Sequence, residues 1–294
     1  MAEAAPAIAL DAEMAARLIA SRFPELAGKD IRPLAAKGTD NQIFRIGDDL
    51  CARFPKVAWA AATAQREAGA LPRFRGAPLA VPEVYGLGAP GGGYPYDWSV
   101  LSWLPGAPLE DGAMVDPGVQ VRQLSEFFGL LRSIPPDPAF RFGRENNGRG
   151  APLATRSAPF EAALKRLPGL NGDFANRLWS GALRAGEPSP PVWLHGDVHP
   201  GNVLAADGQI SGIIDWGLCG VGDGACDLLT AWAIFDRVPR EAYRRAVNAS
   251  EAEWLRGAGW ALSMAVIYLP YAYENGLRSD MSERMIARLM EDFA

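Results

Sequence analysis

Three oxygen-bearing side chains stand out by type and spacing. The stretch from Trp193 to Gly217 reads WLHGDVHPGNVLAADGQISGIIDWG. Asp197 and Asn202 are five residues apart, and Asp215 follows 13 residues after Asn202, flanked by Trp216 and Gly217. Moving a phosphoryl group onto a hydroxyl needs such a set. One carboxylate accepts or orients the hydroxyl proton, while an oxygen ligand and a second carboxylate hold magnesium on the phosphates. The local pattern can position them. The apolar run Val192-Trp193-Leu194 predicts a buried strand leading into His195-Gly196-Asp197. The Asp207-Gly208 pair predicts a hairpin joining 202–204 to 210–214, which delivers Asp215.

The elements around this segment divide the chain in two. Asp11 caps a predicted helix that buries Met14, Leu18 and Ile19 and stops at Pro24. Strands are predicted over Ile31 to Ala36, Gln42 to Ile46 and Leu50 to Phe54, with a turn at Gly47-Asp48-Asp49. An alanine-rich helix over Ala58 to Leu71 ends at Pro72. Short strands follow at Val84 to Leu87 and Asp97 to Leu104. Pro105-Gly106 breaks the pattern, and helices take over: Val119 to Arg132, with the stripe Leu124, Phe127, Phe128 and Leu131, then 160–166, 174–184, and most of 227–294. Residues 141–150, polar and glycine-rich, read as a flexible loop. The expectation is an α+β chain: an antiparallel sheet with one crossing helix in residues 1–104, a hinge about 101–106, and a mostly helical part over 105–294.

Asp197 and Asn202 in HGDVHPGN, followed by IIDWG after a hairpin, have the spacing of the protein-kinase catalytic loop and its D-aromatic-G element. The pair of motifs resembles the aminoglycoside phosphotransferase family, which includes macrolide, choline and homoserine kinases and has the protein-kinase-like bilobal fold. The resemblance implies Asp197 as catalytic base and Asn202 and Asp215 as ligands of Mg2+, with ATP or GTP as co-substrate and a small-molecule hydroxyl as acceptor. It places His195 beneath the loop as scaffold, and His199 inside the loop as a hydrogen-bonding residue or a phosphate contact. Asp227, in GACDLL, matches the aspartate that braces the loop, although a plain helix cap fits equally; Asp223 is a similar case.

In that fold a hairpin loop covers the phosphates. Gly38-Thr39-Asp40-Asn41 stands in its place, so Gly38, Thr39 and Asn41 are candidate contacts, with a plain turn as the other reading. The third strand should carry a cation. Arg53 holds the position where lysine is usual, and its planar fork suits phosphate; Lys56 is the second candidate. Glu67 is the acid between Lys56 and Pro82 that could hold this cation. Ser102 and Leu104 on the linker strand are candidate adenine contacts through their backbone, and Trp103 is either a contact or core.

Composition narrows the partners. The 294 residues carry a net charge of −5, so the basic footprint of a nucleic-acid binder is lacking. Three cysteines without a CxxC and only two histidines argue against a disulfide framework, a zinc site or a histidine-rich metal hydrolase. No uninterrupted run of 18 apolar residues occurs, and the first residues do not read as a signal peptide. A cytoplasmic monomer is expected. Candidate acids for a cationic acceptor are Asp236, Glu274, Glu283 and Asp292, and Trp216, Trp232 and Tyr268 are candidate aromatic contacts.

Overall fold

Asp11 caps α1 (Ala12–Arg22) by accepting a hydrogen bond from the Met14 amide at 2.7 Å. Helix α1 turns Ala15, Leu18 and Ile19 inward against a five-stranded antiparallel sheet. This computed structural model describes residues 8, 10–34, 41–186, 188 and 190–294. The sheet contains β1 (Ile31–Pro33), β2 (Asn41–Ile46) and β3 (Leu50–Pro55). Next in the chain comes α2 (Ala61–Ala70), then β4 (Val84–Gly88) and β5 (Trp98–Ser102), and the spatial order is β1-β2-β3-β5-β4. Most of the predicted elements are present. The first strand ends at Pro33, and Gly38 and Thr39 lie outside the described residues. Helix α2 ends at Ala70, just ahead of Pro72 as expected, and Pro72 then sits in a 3-10 turn over Leu71–Phe74.

Alternation along these strands sorts the side chains. Phe44, Ile46, Ala52, Phe54, Trp98 and Val100 share one face and pack with α1. Cys51 and Leu101 join the second, larger core on the other face. That alternation turns Arg53 away from Phe54 and toward α2.

After Ser102 the chain leaves the sheet, and β6 (Ala107–Pro108) already pairs elsewhere. Helices α3 (Pro117–Ser133), α4 (Ser157–Leu164) and α5 (Gly172–Leu183) precede β7 (Val192–Leu194), β8 (Val203–Ala206), β9 (Gln209–Ile213) and β10 (Gly220–Gly222). The chain ends with α6 (Thr230–Ile234), α7 (Arg237–Ala246), α8 (Glu251–Glu274) and α9 (Asp280–Phe293). Helix α3 buries Val121, Leu124, Phe127, Phe128 and Leu131, the predicted stripe with one more residue. Strands β6, β8 and β9 form one small sheet, and β7 pairs with β10 in another. The β8–β9 turn is the expected Asp-Gly pair, with Asp207 at φ 51° and Gly208 at φ 73°. Helix α8 runs through the larger core, burying Trp254, Trp260, Leu262, Val266 and Leu269.

One expectation fails. Residues 141–150 are not a loose loop. Asn146 is fully buried; its side chain accepts from the Gly143 amide at 3.0 Å and donates to the Arg149 carbonyl at 3.0 Å. Phe142 and Asp223 tie the segment to β10 through Phe142 N–H to Val221 O at 3.2 Å and Asp223 N–H to Gly150 O at 2.8 Å. Polar side chains bonded inward, rather than solvated, order this stretch.

Candidate active site

Strand β7 leads directly into His195, whose side chain is fully buried. The Asp197 amide donates to His195 Nδ1 at 3.2 Å, so Nε2 carries the proton and donates to the Ile214 carbonyl at 3.1 Å. Burial pulls the imidazole down to about 4, so it is neutral at ordinary pH. It is a spacer that sets the loop over the β9 end, against the edge of Trp216 at 4.6 Å. Asp227 braces the same turn from below. Its two carboxylate oxygens accept from the consecutive amides of His195 and Gly196, at 2.9 and 2.7 Å. Burial pushes this carboxyl up to about 6, against the pull of those two amides. Gly196 has φ 84°, and a Cβ there would stand 2.9 Å from Arg149 Cβ and 3.0 Å from the Leu218 carbonyl. Only glycine fits such a turn.

The loop then presents Asp197. Asn202 donates from Nδ2 to the Asp197 carbonyl at 3.0 Å, closing the loop across its five-residue span. His199 accepts the Gly201 amide on Nδ1 at 3.1 Å, which shapes the turn, and its Nε2 lies 3.8 Å from Asp197 Oδ2. Arg149, unforeseen from sequence, reaches Asp197 Oδ1 with Nη2 at 3.2 Å.

Asp215 stands at the end of β9 with φ 66° and ψ 65°. A non-glycine residue in this region costs about 1 kcal/mol or more, and the strain turns the carboxylate toward β3. There Arg53 Nη2 meets Asp215 Oδ1 at 2.5 Å, and Arg53 Nη1 meets Glu67 Oε1 at 2.6 Å. Glu67, on α2, also accepts the Trp216 amide at 2.9 Å. Burial pushes the Glu67 carboxyl up despite Arg53. Burial also pushes Asp215 up, but the Arg53 guanidinium outweighs it and holds that carboxyl below the usual range. The residue before Glu67 on α2, Arg66, donates from Nε to the Cys219 carbonyl at 2.7 Å and from Nη2 to the Arg141 carbonyl at 3.2 Å.

So Arg53, Glu67 and Asp215 meet directly; His195, Asp197, Asn202 and Asp227 form one loop; and the Ile214 amide donates to the Asn202 carbonyl at 3.0 Å, joining the two groups. Asn41 opens β2 opposite Pro55, two residues past Arg53. The Ser102 amide is committed to the Glu83 carbonyl at 2.8 Å, so it is not a spare donor for a base. Ser102 and Leu104 line a cavity of about 350 Å³ with Leu71, Phe74 and Val84, bounded by the end of α2 rather than by Arg53 or Asp215. Trp216 and Trp232 are fully buried core, whereas Tyr268 is partly exposed.

The four acids expected to face a cation are engaged. Asp236 pairs with Arg288 at 2.8 Å, Glu274 with Arg166, and Asp292 with Arg240 at 2.8 Å, while Glu283 accepts from Ser279 Oγ at 2.7 Å. Arg149 and Arg66 carried no spacing signal; only folding brings them to the site.

For magnesium, the donor set fits. Among the described residues no three His, Cys, Asp or Glu side chains converge into a cage. An amide oxygen and a carboxylate are hard ligands, and magnesium is commonly held by one or two such groups together with substrate phosphates. With Nδ2 used on Asp197, Asn202 keeps Oδ1 for a metal.

Residues 30–260, well over half of the chain, match the profile of the phosphotransferase enzyme family, APH. The chain belongs to this family, which makes it a small-molecule kinase. Solved structures share the fold. The GDP complex of wild-type aminoglycoside 2'-phosphotransferase-IIIa matches with TM-score 0.74 at 19% identity, over 96% of this chain and 98% of that one. Macrolide 2'-phosphotransferase type I matches with TM-score 0.66 at 18% identity, over 97% and 99%. The streptomycin–ATP complex of APH(2")-IIa matches with TM-score 0.62 at 14% identity, over 89% and 91%. A comparison with curated proteins finds no significant match.

Proposed function

We propose that this protein transfers the γ-phosphoryl group of ATP or GTP, with Mg2+, to a hydroxyl of a small molecule. The observation that carries the reading is the joining of two groups from distant segments: the Asp197 loop, and the Arg53–Glu67–Asp215 cluster bonded to it through Asn202 and Ile214. Residues 1–104 are the nucleotide lobe and 105–294 the catalytic and acceptor lobe, with the hinge about 101–106. Asp197 accepts the acceptor's hydroxyl proton as its oxygen attacks phosphorus. Asn202 Oδ1 and the Asp215 carboxylate hold magnesium, which when bound neutralises charge on the phosphates. Arg53 contacts the phosphates and Glu67 orients it. Gly38, Thr39 and Asn41 are assigned to the phosphate cover, and the backbone near Leu104 to the base. His195 and Asp227 fix the loop. We take the protein to be a cytoplasmic monomer; among the described residues no helix is long and apolar enough to cross a membrane.

The names of the similar structures support an antibiotic hydroxyl as acceptor. One observation favours a metabolite acceptor of the choline, homoserine or sugar type instead: the acids expected to receive a polycationic sugar are engaged with arginines or hydroxyls of the protein itself. ADP and GDP release against aminoglycosides, macrolides, choline, homoserine and simple sugars, with Asp197→Ala as blank, tests the function. Stimulation by an alcohol, lost in the variant, is the expected result. Nucleotide binding without stimulation by any acceptor is the result against it.

A further inference from the structure

Buried arginines in this protein are held by short bonds to acids. Arg53 has Glu67 at 2.6 Å and Asp215 at 2.5 Å, Arg240 has Asp292 at 2.8 Å and Glu291 at 2.9 Å, and Arg256 has Asp223 at 2.8 Å. This is the general rule, since an unpaired buried charge is costly. Arg149 meets it only in part. It is 6% exposed and its Nε is buried without a hydrogen-bond partner. Its ion pair among the described residues is one contact, from Nη2 to Asp197 Oδ1 at 3.2 Å. A buried polar atom left unsatisfied calls for a reason, and stability alone would select a fuller set of partners. The fold nevertheless builds a place for this side chain. The Arg149 amide donates to the Asn146 carbonyl at 3.0 Å, Asn146 Nδ2 donates back to the Arg149 carbonyl at 3.0 Å, and the Asp223 amide donates to the Gly150 carbonyl at 2.8 Å. Gly150 has φ 79°, and a Cβ there would stand 2.5 Å from Leu194 Cδ2. The Gly196 contact described above extends to the Arg149 stem, since its Cβ would also stand 3.0 Å from Arg149 Cγ. The stem therefore lies against the turn that carries Asp197, with the backbone on both sides of it fixed.

This contact makes the two oxygens of Asp197 unequal. Oδ1 accepts from Arg149. Oδ2 faces His199 Nε2 at 3.8 Å, which is beyond hydrogen-bond reach, so it has no donor among the described residues. The Asp197 side chain stays 21% exposed. We propose that Arg149 is a positioning residue: it fixes the Asp197 carboxylate through Oδ1 and leaves Oδ2 as the oxygen that receives the acceptor's proton. The inference rests on the phosphotransferase reading above and assigns that reaction a residue and an atom. In the transfer the acceptor's O–H bond breaks and its proton goes to Oδ2. The electron pair stays on the acceptor oxygen, which forms the new bond to phosphorus. The bond from phosphorus to the bridging oxygen breaks, and its pair leaves with the nucleoside diphosphate. Arg149 acts through Asp197, whereas Arg53 acts on the phosphates. A charge-assisted bond is stronger than a neutral one and is suited to holding one carboxylate orientation.

The test is a double-variant cycle on the full chain. It reads single-turnover ADP formation from saturating magnesium–ATP, with the member of the aminoglycoside, macrolide, choline, homoserine and sugar panel that stimulates release most. Arg149→Met is expected to lower the rate about 10- to 100-fold, the worth of one charge-assisted bond. Arg149→Lys, which keeps the cation but loses the planar fork, should fall between. In the Asp197→Asn background the same changes should have little further effect, because residues that act as a unit are not additive. Calorimetric affinity for a magnesium-bound, non-hydrolysable ATP analogue should be unchanged throughout. An arginine that merely holds the loop would lower the rate alike in both backgrounds. It would also weaken the analogue, because the same loop carries Asn202. Either result overturns the proposal, and so does an undiminished rate in Arg149→Met. If urea unfolding shows that Arg149→Met does not fold, Arg149→Lys carries the cycle. A loss confined to the Asp197 parent then supports the proposal, and an equal loss in both backgrounds overturns it. A parent stimulated by no alcohol removes the kinase reading and the proposal together. A stimulated parent that is insensitive to Arg149 removes the proposal alone.

Discussion

The Arg53 guanidinium meets the Asp215 carboxylate at 2.5 Å although 162 positions separate them in the chain. Arg53 is thereby divided between an acid on α2 and an acid on the β9 end. A phosphate that takes Nη2 must displace Asp215, and the displaced carboxylate is then available to magnesium. Asp215→Ala should therefore abolish the magnesium dependence of nucleotide binding while leaving magnesium-free nucleotide bound at least as tightly as in the parent. Calorimetric titrations with and without magnesium check this; an unchanged magnesium dependence would sink the metal-ligand role.

Arg53→Lys keeps the charge but gives up the fork that reaches two acids at once. Partial activity is expected. Arg53→Ala leaves Glu67, 2% exposed, without its cation, and breaking a buried pair from one side costs on the order of 3–5 kcal/mol. Activity should fall much further, and chemical denaturation should show the loss of stability. Equal activity of parent, lysine and alanine variants would point to Lys56.

Asp197→Ala should lower kcat at least ~100-fold with nucleotide affinity nearly unchanged, because Asp197 belongs to the loop and not to the Arg53 cluster. Single-turnover rates at saturating nucleotide measure this directly. Retained turnover would refute the assignment.

His195 gives a pH dependence with a definite sign. Burial holds the native ring down to about 4, below the ordinary imidazole value of about 6.5. As pH falls from 6.5 toward 4 the unfolded chain takes a proton that the native ring refuses, so stability is lost, by on the order of 3 kcal/mol across the window. Asp227 has the opposite sign: burial pushes its native carboxyl up to about 6, above the ordinary carboxylate range, so it keeps a proton that the unfolded chain releases and its contribution falls as pH rises from about 4 to about 6. The difference in stability between parent and His195→Gln isolates the first effect. It should shrink as pH falls from 6.5 to 4; a constant difference would mean that the ring is not held neutral.

Arg256 and Asp223 are 5% and 3% exposed and bonded at 2.8 Å, and Asp223 also accepts the Ala225 amide at 3.1 Å as a cap. Arg256→Met should cost on the order of 3–5 kcal/mol, while the paired exchange Arg256→Met with Asp223→Asn should recover much of it. Urea unfolding of the single and double variants checks the coupling.

The parts legible in the sequence are those fixed by neighbours in the chain. The Asp207-Gly208 turn demands positive φ at two successive residues, and that alone predicts the hairpin. Alternation along β3 separates Arg53 from Phe54, and the capping of Asp11 marks the start of α1. Residues 141–150 were illegible for the opposite reason. Glycine and polar residues give a flexible reading locally, but their order comes from the inward bonds of Asn146 and from Val221 and Asp223, about 70 to 80 positions away. Arg149 is carried to Asp197 by those same distant bonds. Ser102 likewise reads as an available edge in the sequence, but the Glu83 carbonyl occupies its amide in the fold.

Arg66 gives α2 a mechanical allegiance that its place in the sequence conceals. Its guanidinium is bolted to the Cys219 and Arg141 carbonyls, so the helix is fastened to the segment that follows Asp215. If the two halves of the molecule rock against each other, α2 should travel with the helical half, and the slip plane should fall between the helix and its own sheet. Arg53 is a tether across that plane, together with Gln65 of α2, which donates to Asp97 ahead of β5. Movement along that plane would stretch the contact proposed to grip the phosphates, and product release and lobe opening would then be one motion.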